Sequence, residues 1–232
     1  MPRRLIAPFV ALALVALFPL SGATFYVELT TKIMIMAIFA LSLDLLVGWT
    51  GLVSFGHAAF FGVGAYALAL LSPKAAAAGL WSSLALAIGA AALCAFVVGV
   101  FVLRTRGIYF IMVTLAFAQM FYFVFHDTDF GGGSDGRYVN LKPDASILGF
   151  TPFDLDKPDQ IYFVVLAVLV LVFLFLQMLL RSPFGRALQG IKANEQRMRA
   201  LGYPVTAYKL AAFTLAGALA GLAGYLLAAQ SG

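Results

Sequence analysis

The stretch RSPFGRALQGIKANEQRMRALGYPVTAY, residues 181–208, decides how the rest of the chain is read. It is polar, yet the sequence on either side is hydrophobic enough to cross a bilayer. It carries Arg181, Arg186, Lys192, Arg197 and Arg199 against one acid, Glu195. Ser182 followed by Pro183 reads as an N-cap and a first helical position. Phe184, Leu188 and Ile191 then recur at helical spacing, so one face is apolar and the other basic. Asn194 is placed to cap a second short helix with Met198 and Leu201 on one face. Gly202 suits a left-handed end to that helix, and Pro204 stops it from resuming. The segment therefore predicts two short amphipathic helices at a membrane surface, on the side where Lys and Arg accumulate. An ordinary basic loop and a docking element for a cytosolic partner both fit these residues.

Working outward, composition identifies the solvent. Of 232 residues, 63% are hydrophobic and 11% are charged. A soluble domain is about a quarter charged, so a chain this apolar has lipid around it. Apolar runs of about twenty residues recur, which is the length of a transmembrane helix. The short alternating runs of an outer-membrane barrel are absent. The expected fold is all-α: a polytopic transmembrane helix bundle of about seven spans, one domain over residues 1–232, with a cytoplasmic N-terminus. The net charge of +5 requires no nucleic acid, because the charges sort by membrane side. A single cysteine, Cys94, excludes an internal disulfide and a thiolate metal site.

The first span is expected from Leu5 to about Val27, after Arg3 and Arg4. Ser21-Gly22-Ala23 also resembles a signal-peptidase site; the reading adopted is a retained span. The second is expected at Ile33–Val47, with Glu28 and Lys32 outside and Asp44 near the inner end. The remaining spans are expected at Ala58–Leu71, Leu80–Leu103, Gly107–Phe125, Gln160–Leu180 and Lys209–Ala229. Between the fifth and sixth, residues 127–158 form a polar loop with turn signals at Gly131-Gly132-Gly133 and Asp135-Gly136. Gly217 and Gly221 make a GxxxG pair, with Gly224 one step round, a packing face for another helix.

This arrangement can be tested against charge. With the N-terminus inside, the bases of residues 181–209 join Arg3, Arg4, Arg104 and Arg106 against Glu195 alone. Outside, five bases face eight acids, most of the acids in the 127–158 loop. That asymmetry follows the positive-inside rule and makes 127–158 extracytoplasmic and 181–208 cytoplasmic.

Chemistry is sparse within the bundle. Asp44 and His57 are the ionisable side chains at or near membrane depth, and such residues are expensive unless they face protein or water. Between them lies Gly48-Trp49-Thr50-Gly51-Leu52-Val53-Ser54-Phe55-Gly56-His57, rich in glycine and uncharged before His57. An interrupted helix here would expose backbone N–H and C=O groups to a cavity, which suits polar or zwitterionic solutes. Gly48, Thr50, Gly51, Ser54, Gly56 and His57, with Asp44 and Thr114, are the candidate solute path. Equally, Asp44 suits a polar cap at the membrane edge and His57 a satisfied packing residue. Ser54 and His57 lie three apart in a turn-prone stretch with no nucleophile elbow, a poor basis for catalysis. No G-x-x-x-x-G-K-[ST] loop is present, nor any Cys/His metal spacing.

The residues taken together carry a resemblance. Leu45 through Tyr66 (LLVGWTGLVSFGHAAFFGVGAY) resembles the signature of the M-type permeases of branched-chain amino-acid ABC importers. Arg104–Phe110 with Thr114–Ala118 is similar to that family's next block, and Gly132–Gly136 to a motif of its outer loop. Arg181–Leu188 with Ala193-Asn194-Glu195 and Ala200-Leu201-Gly202 resembles its cytosolic loop, and Gly217–Gly224 the span that follows. The resemblance runs from about residue 40 to the end. It implies a pore subunit working with a second, related permease, two cytosolic ATPases that hold the ATP, and an extracytoplasmic solute-binding protein, in the bacterial inner membrane. No cofactor is expected on this chain. Arg186, Lys192, Asn194, Glu195, Arg197, Arg199 and Gly202 would then couple to an ATPase. Family members continue through further spans, so the chain resembles a C-terminally shortened member. Glu195 and Gly202 are seven apart, which departs from the family's EAA-then-Gly spacing. Relatives that carry urea or amides, and a stand-alone secondary transporter or channel, are the alternatives.

Overall fold

A computed structural model describes residues 18–21, 24–72, 79–128, 131–133, 136–137, 143–144 and 157–231. Most of the expected first span lies outside them. Eight helices follow: α1 Thr24–Asp44, α2 His57–Leu71, α3 Leu80–Val102, α4 Ile108–Asp127, α5 Pro158–Arg181, α6 Pro183–Ala193, α7 Glu195–Ala200 and α8 Val205–Ser231. A 3₁₀ turn, Phe18–Ser21, precedes α1, and a π-helical turn, Leu45–Thr50, continues it. No strand occurs among the described residues, apart from an isolated bridge between Gly79 and Asp144.

Five helices, α1 with its π extension, α3, α4, α5 and α8, are long and apolar enough to cross a membrane. With the shorter α2 they account for six of the seven expected spans. Two boundaries differ from expectation. α1 begins at Thr24 rather than Ile33, so Glu28 and Lys32 lie on its exposed first turns. No helix breaker separates residues 24 and 33, and the helix simply projects past its apolar run. Likewise α8 starts at Val205, directly after Pro204, four residues before Lys209.

α8 is the hub. It packs against α1, α2 and α3, and its buried side chains include Ala212, Ala216, Ala220 and Ala223. Hydrocarbon tails are as apolar as leucine, so helices in lipid gain by close approach of small residues rather than by expelling water. A Cβ on Gly221 would stand 2.2 Å from the Ala91 Cβ, one on Gly217 2.3 Å from the Ala95 Cβ, and one on Gly224 1.9 Å from the Phe61 carbonyl oxygen. Gly64 of α2 meets the same seam, its Cβ position 2.0 Å from the Gly221 carbonyl oxygen. Gly62, two residues away, faces open space. At the end of the bundle away from the basic loop, the Tyr225 hydroxyl pairs with Ser83 Oγ at 2.7 Å.

α4 and α5 are peripheral. α4 buries only Phe110 and Thr114, and its other side chains, among them Met112, Met120 and Phe123, are largely exposed. The N–H of Leu80 donates to the Asp144 carbonyl at 2.8 Å, fastening part of the 127–158 loop to the start of α3.

Candidate functional site

The Gly48–His57 junction is an interrupted helix. α1 widens into the π turn, and Gly51, with φ +73°, closes it in a left-handed conformation whose N–H donates to the Leu46 carbonyl. Residues 51–56 are non-helical, and α2 restarts at His57. α2 has 15 residues, a length of about 22 Å at 1.5 Å per residue. The hydrocarbon core is about 30 Å thick, so α2 alone falls short of it. Irregular backbone survives at that depth only where protein or a cavity covers it. Here α4 provides cover. Thr114 Oγ1 accepts the Phe55 N–H at 3.3 Å and donates to the Ile111 carbonyl at 2.8 Å. Gly56 lies so close to α4 that an added Cβ would meet the Thr114 carbonyl oxygen at 2.2 Å.

His57 and Ser54 are buried at this junction. His57 Nε2 lies 2.9 Å from Ser42 Oγ, and the ring sits between Phe39 and Phe60. Ser42 has one proton and directs it to the Phe39 carbonyl at 2.6 Å. A carbonyl only accepts, so the two bonds together require His57 to donate from Nε2, leaving Nδ1 as a bare acceptor. Among the described residues Nδ1 has no partner, and neither does Ser54 Oγ. Thr50 Oγ1 donates back to the Leu46 carbonyl at 2.5 Å, inside the π turn.

Asp44 is not at the same place. Its side chain is exposed, stands against Gly48, and lines an apolar cavity of about 320 Å³ between α1 and α5 with Leu45, Trp49, Leu176 and Arg181. Asp44, expected near the inner end of its span, is the last residue of α1. Asp44 shares its cavity with Arg181, whereas the segment after the π turn places His57 against Ser42.

The basic loop is built as two helices meeting at Asn194. Asn194 Oδ1 accepts the Arg197 N–H at 2.9 Å, and Gly202 is left-handed at φ +85°. Ser182 adopts N-cap backbone geometry, but its hydroxyl donates to the Leu179 carbonyl at 2.6 Å instead of capping α6. Leu188 and Ile191 are buried, and Phe184 stacks on Tyr208 at 5.5 Å. Leu201, expected on one face with Met198, is exposed. It falls in the turn after α7 rather than on the helix, so helical spacing does not govern it.

Two polar ties fix this elbow to the bundle. Lys192 Nζ donates to the Gly48 carbonyl at 2.5 Å while its stem lies under Gly51, and so α6 touches the π turn directly. Glu195 gathers three cations: Arg199 at 2.7 Å within its own helix, Lys209 of α8 at 2.7 Å, and Arg106 of the α3–α4 turn at 3.7 Å. Partial burial alone would raise its pKa. The hydrogen bonds from Lys209 and Arg199, with the charges of Lys209 and Arg106, outweigh that and hold it below the usual carboxylate range. Arg186 and Arg197 are exposed and make no ion pair among the described residues. Sequence reasoning identified Glu195 and the bases but not the pairings with Lys209 and Arg106, because Lys209 lies on α8 and Arg106 in the α3–α4 turn. Nothing in the sequence marked Ser42 as the partner of His57. Among the described residues no cluster of three or more metal-ligating side chains exists.

Residues 25–232 match the family model for the branched-chain amino acid transport system permease component. The chain belongs to this family. Within this permease family, it is 35% identical over 227 residues to the high-affinity branched-chain amino acid transport system permease protein LivM of Salmonella typhimurium, covering 89% of this chain and 53% of that relative. It is 34% identical over 242 residues to LivM of Escherichia coli K12, covering 95% of this chain and 56% of that relative. The chain thus spans about half the length of the curated permeases it matches. No solved structure matches it significantly. Family membership and the five apolar helices make it a multi-pass membrane protein.

Proposed function

We propose that this chain is a membrane-spanning permease subunit, not an enzyme, of an ATP-driven importer for branched-chain or similar amino acids in a bacterial inner membrane. ATP is held and hydrolysed on two cytosolic ATPase subunits. A second, related permease completes the pore, and an extracytoplasmic binding protein delivers solute to the 127–158 face. Residues 1–232 act as one permease domain.

One observation carries this reading. The α6–α7 elbow is fastened on one face to the interrupted helix through Lys192, while Arg186 and Arg197 are exposed and make no ion pair among the described residues. A load applied to the exposed face reaches the solute path through one side chain and one turn, the arrangement an external motor requires. α6 and α7 form the coupling element, and the Gly48–His57 junction lies on the path that opens alternately to each side.

The test is Arg186→Glu with Arg197→Glu. Neither side chain has an ion-pair partner, so the chain should still fold and insert. Co-purification with the ATPases should fall about tenfold or more, and ATP-driven uptake with it, since like charges across an interface are strongly unfavourable. Unchanged assembly and uptake would remove the coupling role.

A further inference from the structure

We propose that the amino-terminal end of α2, together with the Ser54 hydroxyl, forms a subsite for the solute's carboxylate. This rests on the permease reading above.

The end of α2 is unusual in its position. α2 begins inside, behind α4, at the level of Thr114. The first amides of a helix have no intrahelical acceptors, and the aligned peptide dipoles place partial positive charge there. Among the described residues nothing accepts from the amides of His57 or Ala58. A positive helix end with unsatisfied donors in a low-dielectric interior is a standing site for an anion.

Ser54 is the independent second observation. It is 5% exposed, its Oγ has no hydrogen-bond partner, and it lines a narrow cleft at this same helix end with Gly56, Ala59 and Thr114. A buried hydroxyl left unpaired costs free energy, and a carboxylate oxygen would remove that cost. Thr114 is already committed on both sides, to Phe55 and Ile111, and so shapes the site without competing for the ligand.

The rest of the lining defines the solute. No acid or base lies in it, and the walls are Phe60, Phe117, Phe121, Phe213 and Val98. The Ser54 hydroxyl with Gly56 at the start of α2, beside an aromatic wall, fits a carboxylate attached to an aliphatic side chain. The cleft is too tight for a water molecule in this conformation, so the solute enters only when it widens. α4 forms one wall and is the least buried of the long helices, which makes it the wall free to move.

The experiment uses the assembled transporter without its binding protein and measures retention of radiolabelled L-leucine by equilibrium dialysis. Two competitors separate the groups: 4-methylpentanoate keeps the carboxylate and side chain, and 3-methylbutylamine keeps an amine and side chain. The carboxylate should displace leucine at least about tenfold better than the amine. Ser54→Ala should weaken retention about tenfold, the loss expected for one hydrogen bond to a charged group. Ser54→Thr, which keeps a hydroxyl, should stay within a few-fold of the native chain. Equal displacement by the two competitors would overturn the subsite, as would undiminished retention in Ser54→Ala or no leucine retention by a complex that still imports it. Should Ser54→Ala fail to assemble, the competitor arm on the native chain decides. A complex that imports leucine on ATP yet fails these arms loses only the subsite. A complex without ATP-dependent import loses the permease reading itself.

Discussion

The seam around α8 and the elbow at its amino end are held by different physics. In the seam, glycine and alanine let backbones meet at van der Waals distance, with 2.0 Å between a missing Gly64 Cβ and the Gly221 carbonyl oxygen. Such contacts are short-ranged and leave no slack. In the elbow, one carboxylate holds three cations, and one lysine reaches a carbonyl. Those bonds can be broken and remade with little rearrangement of backbone. A machine that moves solute needs both: a frame that does not deform and a handle that does.

Three substitutions would sharpen or break that contrast. Gly221→Leu should have the largest effect, because its side chain must occupy space held by Ala91 and the backbone of α2. The expected cost is about 3 kcal/mol or more, and thermal unfolding in detergent should show loss of the folded chain. A native-like unfolding temperature would mean that the seam has slack.

Glu195→Gln should be milder, at about 1–2 kcal/mol, confined to the elbow. Hydrogen exchange of amides in 195–209 should quicken about tenfold while α3 and the body of α8 keep their protection. The same bond predicts a pH dependence. Glu195 has a depressed pKa, so its contribution is fully present above the ordinary value of 4.5 and is lost as pH falls below that, through the folded value. Protection of the elbow should therefore hold from neutral pH down to about 5 and decline below 4.5, whereas Glu195→Gln should show no such step.

Gly62→Ala should do least. Nothing lies within 4 Å of the added methyl. Alanine's better helix propensity makes the expected change neutral to about 1 kcal/mol stabilising, read as unfolding temperature. A large loss there, two residues from Gly64, would show that the bundle packs differently from this seam.

These outcomes bear on what sequence can disclose. Hydrophobic length located α3, α4 and α5 nearly to the residue, because the bilayer imposes one length on all of them. Asn194, Gly202 and the basic helices were legible because caps and left-handed turns are local. The interrupted helix was visible as a glycine-rich, uncharged gap. What the gap did not reveal was where its ends go. Asp44 and His57 are thirteen positions apart, and only the π turn and the non-helical segment 51–56 decide where each goes. Arg199 is a local partner of Glu195, but Lys209 and Arg106, and Ser42 for His57, lie on other elements, so no local pattern could name them.

The interrupted helix bears on the order in which this chain is completed. α2 leaves the ribosome early, but with 15 residues it is too short to cross hydrocarbon unaided, and residues 51–56 bring unpaired amides into the bilayer. The groups that shelter it belong to α4 and to α8, the last described helix. The packing that encloses α2 is therefore completed only when the glycines of α8 have been made.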